Sequence, residues 1–213
     1  DDYPDVKIGQ WFLDPLNKKG PDFERNKERI LDKINSVDAS FLTTSPSVLS
    51  FLKKDNSFFI PNPSDKSFET LNNFKKSCSV DVFFALSHGV HRGVLKSGKV
   101  DDRINFIRKL VENTPNVKFD IYGVNKVQPI WADHYFKTIS NAKMGLNLSR
   151  GEAIKYYSSD RITQIIGNGL VCLIDEKTKY RDFFNDNEMV FYKNLNDLSE
   201  KILKISSDEK IRK

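Results

Sequence analysis

Residues 158–175 read SSDRITQIIGNGLVCLID, and the order of residue types in them sets the architecture. Ser158, Ser159 and Asp160 carry short side-chain oxygens suited to accepting from the free amides of a first helical turn, which predicts a helix from about Arg161. Ile162, Ile165 and Ile166 stand at i, i+3 and i+4, the spacing of one buried helix face, with Arg161, Thr163, Gln164 and Asn168 left polar. Gly167 and Gly169 end the helix, because glycine accepts the left-handed C-cap conformation without a Cβ clash. Leu170 to Ile174 is then a continuous apolar run closed by Asp175, suited to a parallel strand buried on both faces. The unit is loop, helix, glycine turn, inner strand. Free amides and the helix dipole at its start favour an anion, above all a phosphate, and Arg161 adds a fixed cation. Taken alone, the segment also fits an ordinary capped helix packed on a sheet, and its surroundings decide.

Those surroundings alternate. Lys7–Leu13 reads as a strand stopped by Asp14-Pro15, residues 22–34 as an amphipathic helix, and Ala39–Thr43 as a strand. Ser45-Pro46-Ser47 starts a further helix, and Ser57–Ile60 is a strand ended by Pro61-Asn62-Pro63. Downstream, strands are expected at 80–86, 117–122, 144–148, 170–174 and 189–192, with helices at 103–112, 133–142, 180–184 and 198–205. The pattern predicts an α/β fold of two Rossmann-like, doubly wound parallel sheets. The units are an incomplete N-terminal one (1–66), a linker (67–79) on which Phe68, Leu71 and Phe74 mark one helical turn, a C-terminal unit (80–205) and a tail (206–213). With only three strands in the first unit, the chain reads as a fragment.

The 213 residues, 38% hydrophobic, suffice for a substantial core. No run approaches the roughly 20 apolar residues of a membrane span, and DDYPDVK at the start is not a secretory signal. Cys78 and Cys172 have no disulfide or metal spacing, which points to a reducing cytoplasm. The +5 charge is dispersed among 29 acidic residues, so no nucleic-acid groove is expected; a peripheral position at a membrane stays open. GxSxG, HExxH, GxxxxGK[ST] and CxxC are absent, which removes serine hydrolase, zincin, P-loop and thioredoxin readings.

Loops after strands at one sheet edge converge, and here they are His88–Lys96, Gly123–Ile130, Ser149–Tyr157 and Ser158–Gln164. Gly89 and Gly123 permit close backbone approach. Arg92, Lys96, Arg150 and Arg161 are cationic, while Gln128, Tyr157, Ser158, Ser159, Asp160, Thr163 and Gln164 offer polar groups to a sugar or ribose. Tyr122 or Ile130 can border a base, and a nucleoside diphosphate suits the whole assembly. His88 and His91 form HxxH without carboxylate or cysteine partners, so no metal is predicted and His88 takes a hydrogen-bonding or phosphate-side role. His134 reads as structural, and Tyr122, Trp131 and Gly145 as packing residues. Asp14 and Asp175 close strands, where a catalytic base and a turn-initiating carboxylate compete as explanations.

Arg161-Ile162-x-Gln164-x-x-Gly167-x-Gly169-Leu170 through Asp175, followed by Glu188-Met189-Val190-Phe191-Tyr192 and Asn196-Asp197-Leu198, resembles the C-terminal half of group 1 glycosyltransferases. Within them the chain is most similar to the CgeB-like, spore-maturation type. Phe59 to Pro63 resembles their interdomain crossing strand, and Trp11 to Asp14 a strand of their N-terminal domain. The resemblance implies a GT-B arrangement, a nucleotide-sugar donor, no metal or other cofactor, and a glycan or other hydroxyl acceptor, with a role in surface-glycan assembly. It places His88 to Arg92 beside the donor phosphates, Gly123 to Ile130 beside the base, and Ser158 to Arg161 at the diphosphate or sugar. His88, Arg92 and Arg161 become the catalytic set. Gln164 stands where the family often has a ribose-bonding glutamate, keeping the hydrogen bond and losing the charge. Related epimerases share the architecture, so a nucleotide-sugar epimerase and a non-catalytic nucleotide-binding domain are the alternatives.

Overall fold

A computed structural model describes residues 5–17, 22–52, 54–87, 101–125 and 127–212. In chain order it contains β1 (Gly9–Phe12), α1 (Phe23–Leu31), β2 (Ala39–Leu42), β3 (Ser57–Phe59), β4 (Val80–Ala85), α2 (Asp102–Asn113) and β5 (Phe119–Tyr122). There follow α3 (Ala132–Ile139), β6 (Ala142–Asn147), α4 (Arg161–Gly167), β7 (Val171–Asp175), β8 (Val190–Tyr192), α5 (Leu195–Ser207) and α6 (Glu209–Arg212). Two sheets result, ordered β1-β2-β3 and β5-β4-β6-β7-β8. Every pairing in both is parallel.

The larger sheet is buried on both faces, as continuous apolar strands require. Val82, Phe84, Met144, Leu146 and Leu173 meet Ile107 and Leu110 of α2 and Leu198, Ile202 and Ile205 of α5 on one side. Phe83, Cys172, Ile174 and Phe191 meet Ile139 of α3 and Ile162 and Ile165 of α4 on the other. From β4 the chain steps outward to β5, then returns past β4 to β6. The order therefore reverses between β4 and β6, and a crevice opens beyond the carboxyl ends of strands at such a reversal.

The expected loop–helix–turn–strand unit is present. Leu170 N–H donates to Ile165 O (3.0 Å) and Gly169 N–H to Ile166 O (2.9 Å), with Gly169 at φ +76. These are the two bonds of a Schellman C-cap, which only a residue tolerant of positive φ completes without strain. The start of α4 differs from expectation. Asp160 at its N-cap is itself helical (φ −48, ψ −22) and makes no side-chain cap. Ile162 N–H reaches Ser159 O and Thr163 N–H reaches Asp160 O, both at 3.1 Å, so a tightened first turn takes up amides that a side chain was expected to cap.

Ser45-Pro46-Ser47 opens a single 3₁₀ turn, Pro46–Val48, because Leu49 turns extended and buries itself with Leu52 in the smaller core. Phe68, Leu71 and Phe74 share no helical turn; the 3₁₀ turn of this stretch is Asn73–Lys75. Tyr180–Phe184 likewise shortens to the 3₁₀ turn Tyr180–Asp182. The linker is fastened to the larger unit: Asn73 Nδ2 donates to Ile139 O and Ala142 O, both at 2.8 Å. Residues 206–212 dock too, with buried Arg212 donating through Nη1 to Asn73 O and through Nη2 to Lys76 O at 2.8 Å.

The two sheets are pinned through residues 150–158. Asn17 Nδ2 donates to Arg150 O (3.0 Å) and Glu152 O (2.7 Å). Ser45 N–H donates to Lys155 O (3.0 Å), Asn62 Nδ2 to Ser158 O (3.0 Å), and Phe59 packs on Tyr156 and Phe183.

Gly145 in β6 sets how closely α4 approaches: a Cβ there would meet Ile165 Cγ1 at 2.5 Å and two further Ile165 carbons under 3.0 Å. Because Ile165 is fully buried, a Gly145→Ala chain is expected to lose about 1–3 kcal/mol in urea unfolding by overpacking. An unchanged midpoint would show that α4 moves away freely.

Candidate functional site

The head of α4 lies at the strand reversal, and Arg161 makes the connection. Its Nε donates to Ala85 O at the end of β4 (3.3 Å), and its Nη1 to Leu148 O just past β6 (3.3 Å) and to Ser159 Oγ (3.0 Å). The guanidinium also lies over the Phe84 ring, 5.1 Å from its centroid. Its bonds therefore go to neutral acceptors; among the described residues it forms no ion pair, and Nη2 has no hydrogen-bond partner. Burial, and then the like charge of Arg103, pull its pKa below the usual value. A partly desolvated cation without a counter-ion among the described residues is costly, and an arriving anion offsets that cost.

Arg161 and Gln164 line a groove of ≈ 430 Å³ together with Ala85, Leu86 and Ser87 of the β4 end, Phe68 and Glu69 of the linker, and residues 130–132 and 135–136 at the head of α3. That volume suits a small-molecule ligand. Gln164 Oε1 accepts from Tyr135 OH at 2.6 Å, which orients the amide. Burial pushes the Tyr135 phenol up to about 12, so it stays protonated and donating at neutral pH. Glu69 and Asp160 are the carboxylates of the described lining and Arg161 its cation.

The expected site residues divide. Ile130, Asp160, Arg161 and Gln164 meet at the groove. Gly123 forms the turn after β5, its φ of +75 and its contact with Leu86 O leaving no room for a Cβ. Tyr122 packs against Phe83 and His134, as a packing residue should. Gln128 is exposed and lies outside the lining. Thr163 Oγ1 is bonded to Asp160 O (2.8 Å) and Ser158 Oγ to Ser159 O (3.1 Å), so both hydroxyls serve the local backbone. Ser159 Oγ is taken by Arg161. His88, Gly89, Arg92 and Lys96, with His91, lie outside the described residues.

Arg150 stands apart from the groove in an ionic network: its Nη1 is 3.1 Å from Asp22 and its Nε 3.7 Å from Asp101. Asp101 in turn holds Arg103 through Nε (2.9 Å) and Nη2 (2.6 Å). Tyr157 lines a separate cavity of ≈ 30 Å³, with Asn147, Asp175 and Tyr192 at the ends of β6, β7 and β8. There Asn147 Oδ1 and Tyr192 OH are buried without a described partner, and the space fits about one water. Asp175, its pKa raised by burial, accepts from Lys177 N–H and starts a 3₁₀ turn, so turn initiation accounts for it. Asp14 is paired with Arg29 at 2.7 Å. No group of three or more His, Cys, Asp or Glu side chains that could hold a metal occurs among the described residues.

Phe68, Tyr135 and Trp131 were not expected at a site. Trp131 is 60% exposed and Phe68 64%, so neither is a packing residue. An aromatic at an N-cap position, where it cannot cap, was the available signal for Trp131.

A family model described as glycosyl transferase-like matches residues 103–213, more than half of the chain. The chain belongs to this glycosyl transferase-like family. Among solved structures, TarM is similar with a TM-score of 0.59 at 14% identity, over 99% of this chain and 45% of that one. A mutant of S. aureus TarM in complex with Fondaparinux, alpha-GlcNAc-glycerol and UDP gives 0.58 at 14%, over 99% and 46%. The GtfA/B complex gives 0.56 at 12%, over 99% and 48%. The likeness shows a shared fold, and the glycosyl transferase-like chain spans under half the length of these proteins. No curated protein matches it significantly in sequence. No helix among its described residues is long and apolar enough to cross a membrane.

The Asp101–Arg103 pair is nearly sealed from solvent, with side chains 5% and 8% exposed. Burial alone would raise Asp101, but the Arg103 guanidinium and amide, then Arg150, hold its carboxyl below the usual carboxylate range. A depressed folded value makes the stabilisation complete above the unfolded value and lost as pH falls through the folded one. Asp101→Asn is expected to cost about 3–5 kcal/mol at pH 7 and to flatten the acid limb of stability against pH, both read by urea unfolding.

Proposed function

We propose that the groove at the β4–β6 reversal binds a nucleotide-sugar and that the protein transfers the sugar to a hydroxyl acceptor, a glycan or similar molecule. The observation that carries this is Arg161: a half-buried guanidinium fixed by two strand-end carbonyls, with no carboxylate partner among the described residues and with Nη2 left to donate. A diphosphate supplies the missing charge, and Gln164, steadied by Tyr135, meets the ribose. Ser87 lines the groove and is followed in sequence by HGVHRGVLKSGK, whose His88, Arg92 and Lys96 we assign to the phosphates.

In the transfer, a bond forms between the acceptor oxygen and the anomeric carbon as the bond from that carbon to the β-phosphate oxygen breaks, and the acceptor's proton passes to the departing diphosphate or to water. Negative charge grows on the departing diphosphate, where a preorganised guanidinium gives its largest stabilisation. Charge neutralisation is thus assigned to guanidinium and lysine groups, with no metal or further cofactor. Family membership supports the reaction class, and the fold likeness to a TarM mutant crystallised with UDP supports a nucleoside diphosphate donor. We place the chain in the CgeB-like branch on its motifs, and in the cytoplasm because Cys78 and Cys172 are buried and free.

Calorimetric titration with UDP, GDP and ADP tests this. Gln164→Ala should weaken the bound nucleotide about 2- to 13-fold, the worth of one hydrogen bond, and Arg161→Ala should abolish measurable binding. Absence of binding by all three at millimolar concentration, in folded protein, sinks the proposal.

A further inference from the structure

Phe68 and Trp131 are the most exposed of the large apolar side chains described, at 64% and 60%, and both line the same groove. They come from different segments, the linker and the head of α3. Single exposed apolar residues need no explanation; two of the largest at one groove do.

Each is held in place by its own backbone. Phe68 N–H and Glu69 N–H both donate to Asp65 O at 2.9 Å, and Ser67 N–H donates to Asp65 Oδ1 at 2.8 Å. Glu69 Oε2 closes the turn by accepting from Asp65 N–H at 2.7 Å. The turn lies against α4, since a Cβ on Gly167 would run into Glu69 and Ser64. Trp131 is extended (φ −141, ψ 159) and is followed by Ala132 at φ +46, a left-handed conformation that a residue with a Cβ adopts at a cost of about 1–3 kcal/mol. Strain of that kind persists only where the surrounding structure over-determines it, and it clusters at ligand sites. The backbone that carries each ring is therefore fixed, and both rings are open to solvent.

We infer that Phe68 and Trp131 form a stacking clamp for the nucleobase of the donor, an inference that rests on the nucleotide reading of the groove. With the diphosphate at Arg161 and the ribose at Gln164, the base is the remaining planar group. An aromatic face accepts any base, because every base has a π face. The clamp thus supplies affinity for the nucleoside end, while polar groups elsewhere in the groove choose among bases. One jaw belongs to the linker that joins the two sheets, so the base is gripped by both the larger unit and its connection to the smaller one.

Trp11 and Trp131 are the only tryptophans, so a Trp11→Phe chain makes Trp131 the sole indole reporter. Emission and calorimetry are followed together on adding UDP, GDP, ADP and pyrophosphate. The expected result is quenching of Trp131 by the nucleotides that bind and none by pyrophosphate. Phe68→Ala and Trp131→Ala, each folded by circular dichroism, should weaken nucleotide binding about 5- to 150-fold, the range for one lost base–aromatic stack, and leave pyrophosphate binding unchanged. Nucleotides that bind in the calorimeter without altering Trp131 emission, with affinity unmoved in both variants, overturn the clamp and leave the nucleotide site standing. Pyrophosphate binding as tightly as the nucleotides also overturns it. If no nucleotide binds at all, the nucleotide site falls and the clamp falls with it.

Discussion

One guanidinium joins the two strands between which the larger sheet changes direction. Arg161 reaches the β4 end through Ala85 O and the chain beyond β6 through Leu148 O, and hydrogen bonds to a charged donor contribute roughly 1.5–3 kcal/mol each. At this reversal the chains leaving the two paired strands turn to opposite faces of the sheet, and the crevice opens between them, bridged here by one side chain. Arg161 does so from the first position of α4, while Ile162 and Ile165 bury that helix against the sheet. Architecture and chemistry thus share a side chain: what bridges the crevice also leaves a cation inside it.

The electrostatics of the crevice follow from the same arrangement. A solvated arginine could pair with any carboxylate nearby, yet Asp160 is its sequence neighbour and stays exposed. The adjacent charge network is self-satisfied, with Asp22 and Asp101 taking Arg150 and Arg103. Arg161 is therefore kept out of that network. Gln164 in place of a carboxylate fits this balance, because Glu69 and Asp160 already bring two negative charges to the lining.

Much of the fold was legible in the sequence because its signals were local. Alternating apolar runs and amphipathic stretches placed all eight described strands within a few residues, and Gly167 to Leu170 announced the helix end that the Schellman bonds complete. Where reasoning failed, tertiary contacts had overridden local propensity. Ser45-Pro46-Ser47 carries a helix-start signal, but Leu49 and Leu52 are drawn into the smaller core after one turn. Ser158 and Asp160 have capping side chains, but a tightened turn used the amides first. The site was half legible: Arg161, Gln164 and Ile130 follow from strand-end logic, whereas Arg150 and Tyr157 satisfy the same logic and are engaged elsewhere. Trp131 and Phe68 were hidden because nothing in a sequence separates an aromatic that packs from one held out into a groove.

Residues 150–158 leave the larger sheet, touch three separated parts of the smaller unit through Asn17, Ser45 and Asn62, and return to begin α4. A hinge motion between the units cannot spare this strap: swinging them apart breaks those bonds within eleven residues of Arg161. The segment that fastens the two sheets together is thus the same one that leads into α4.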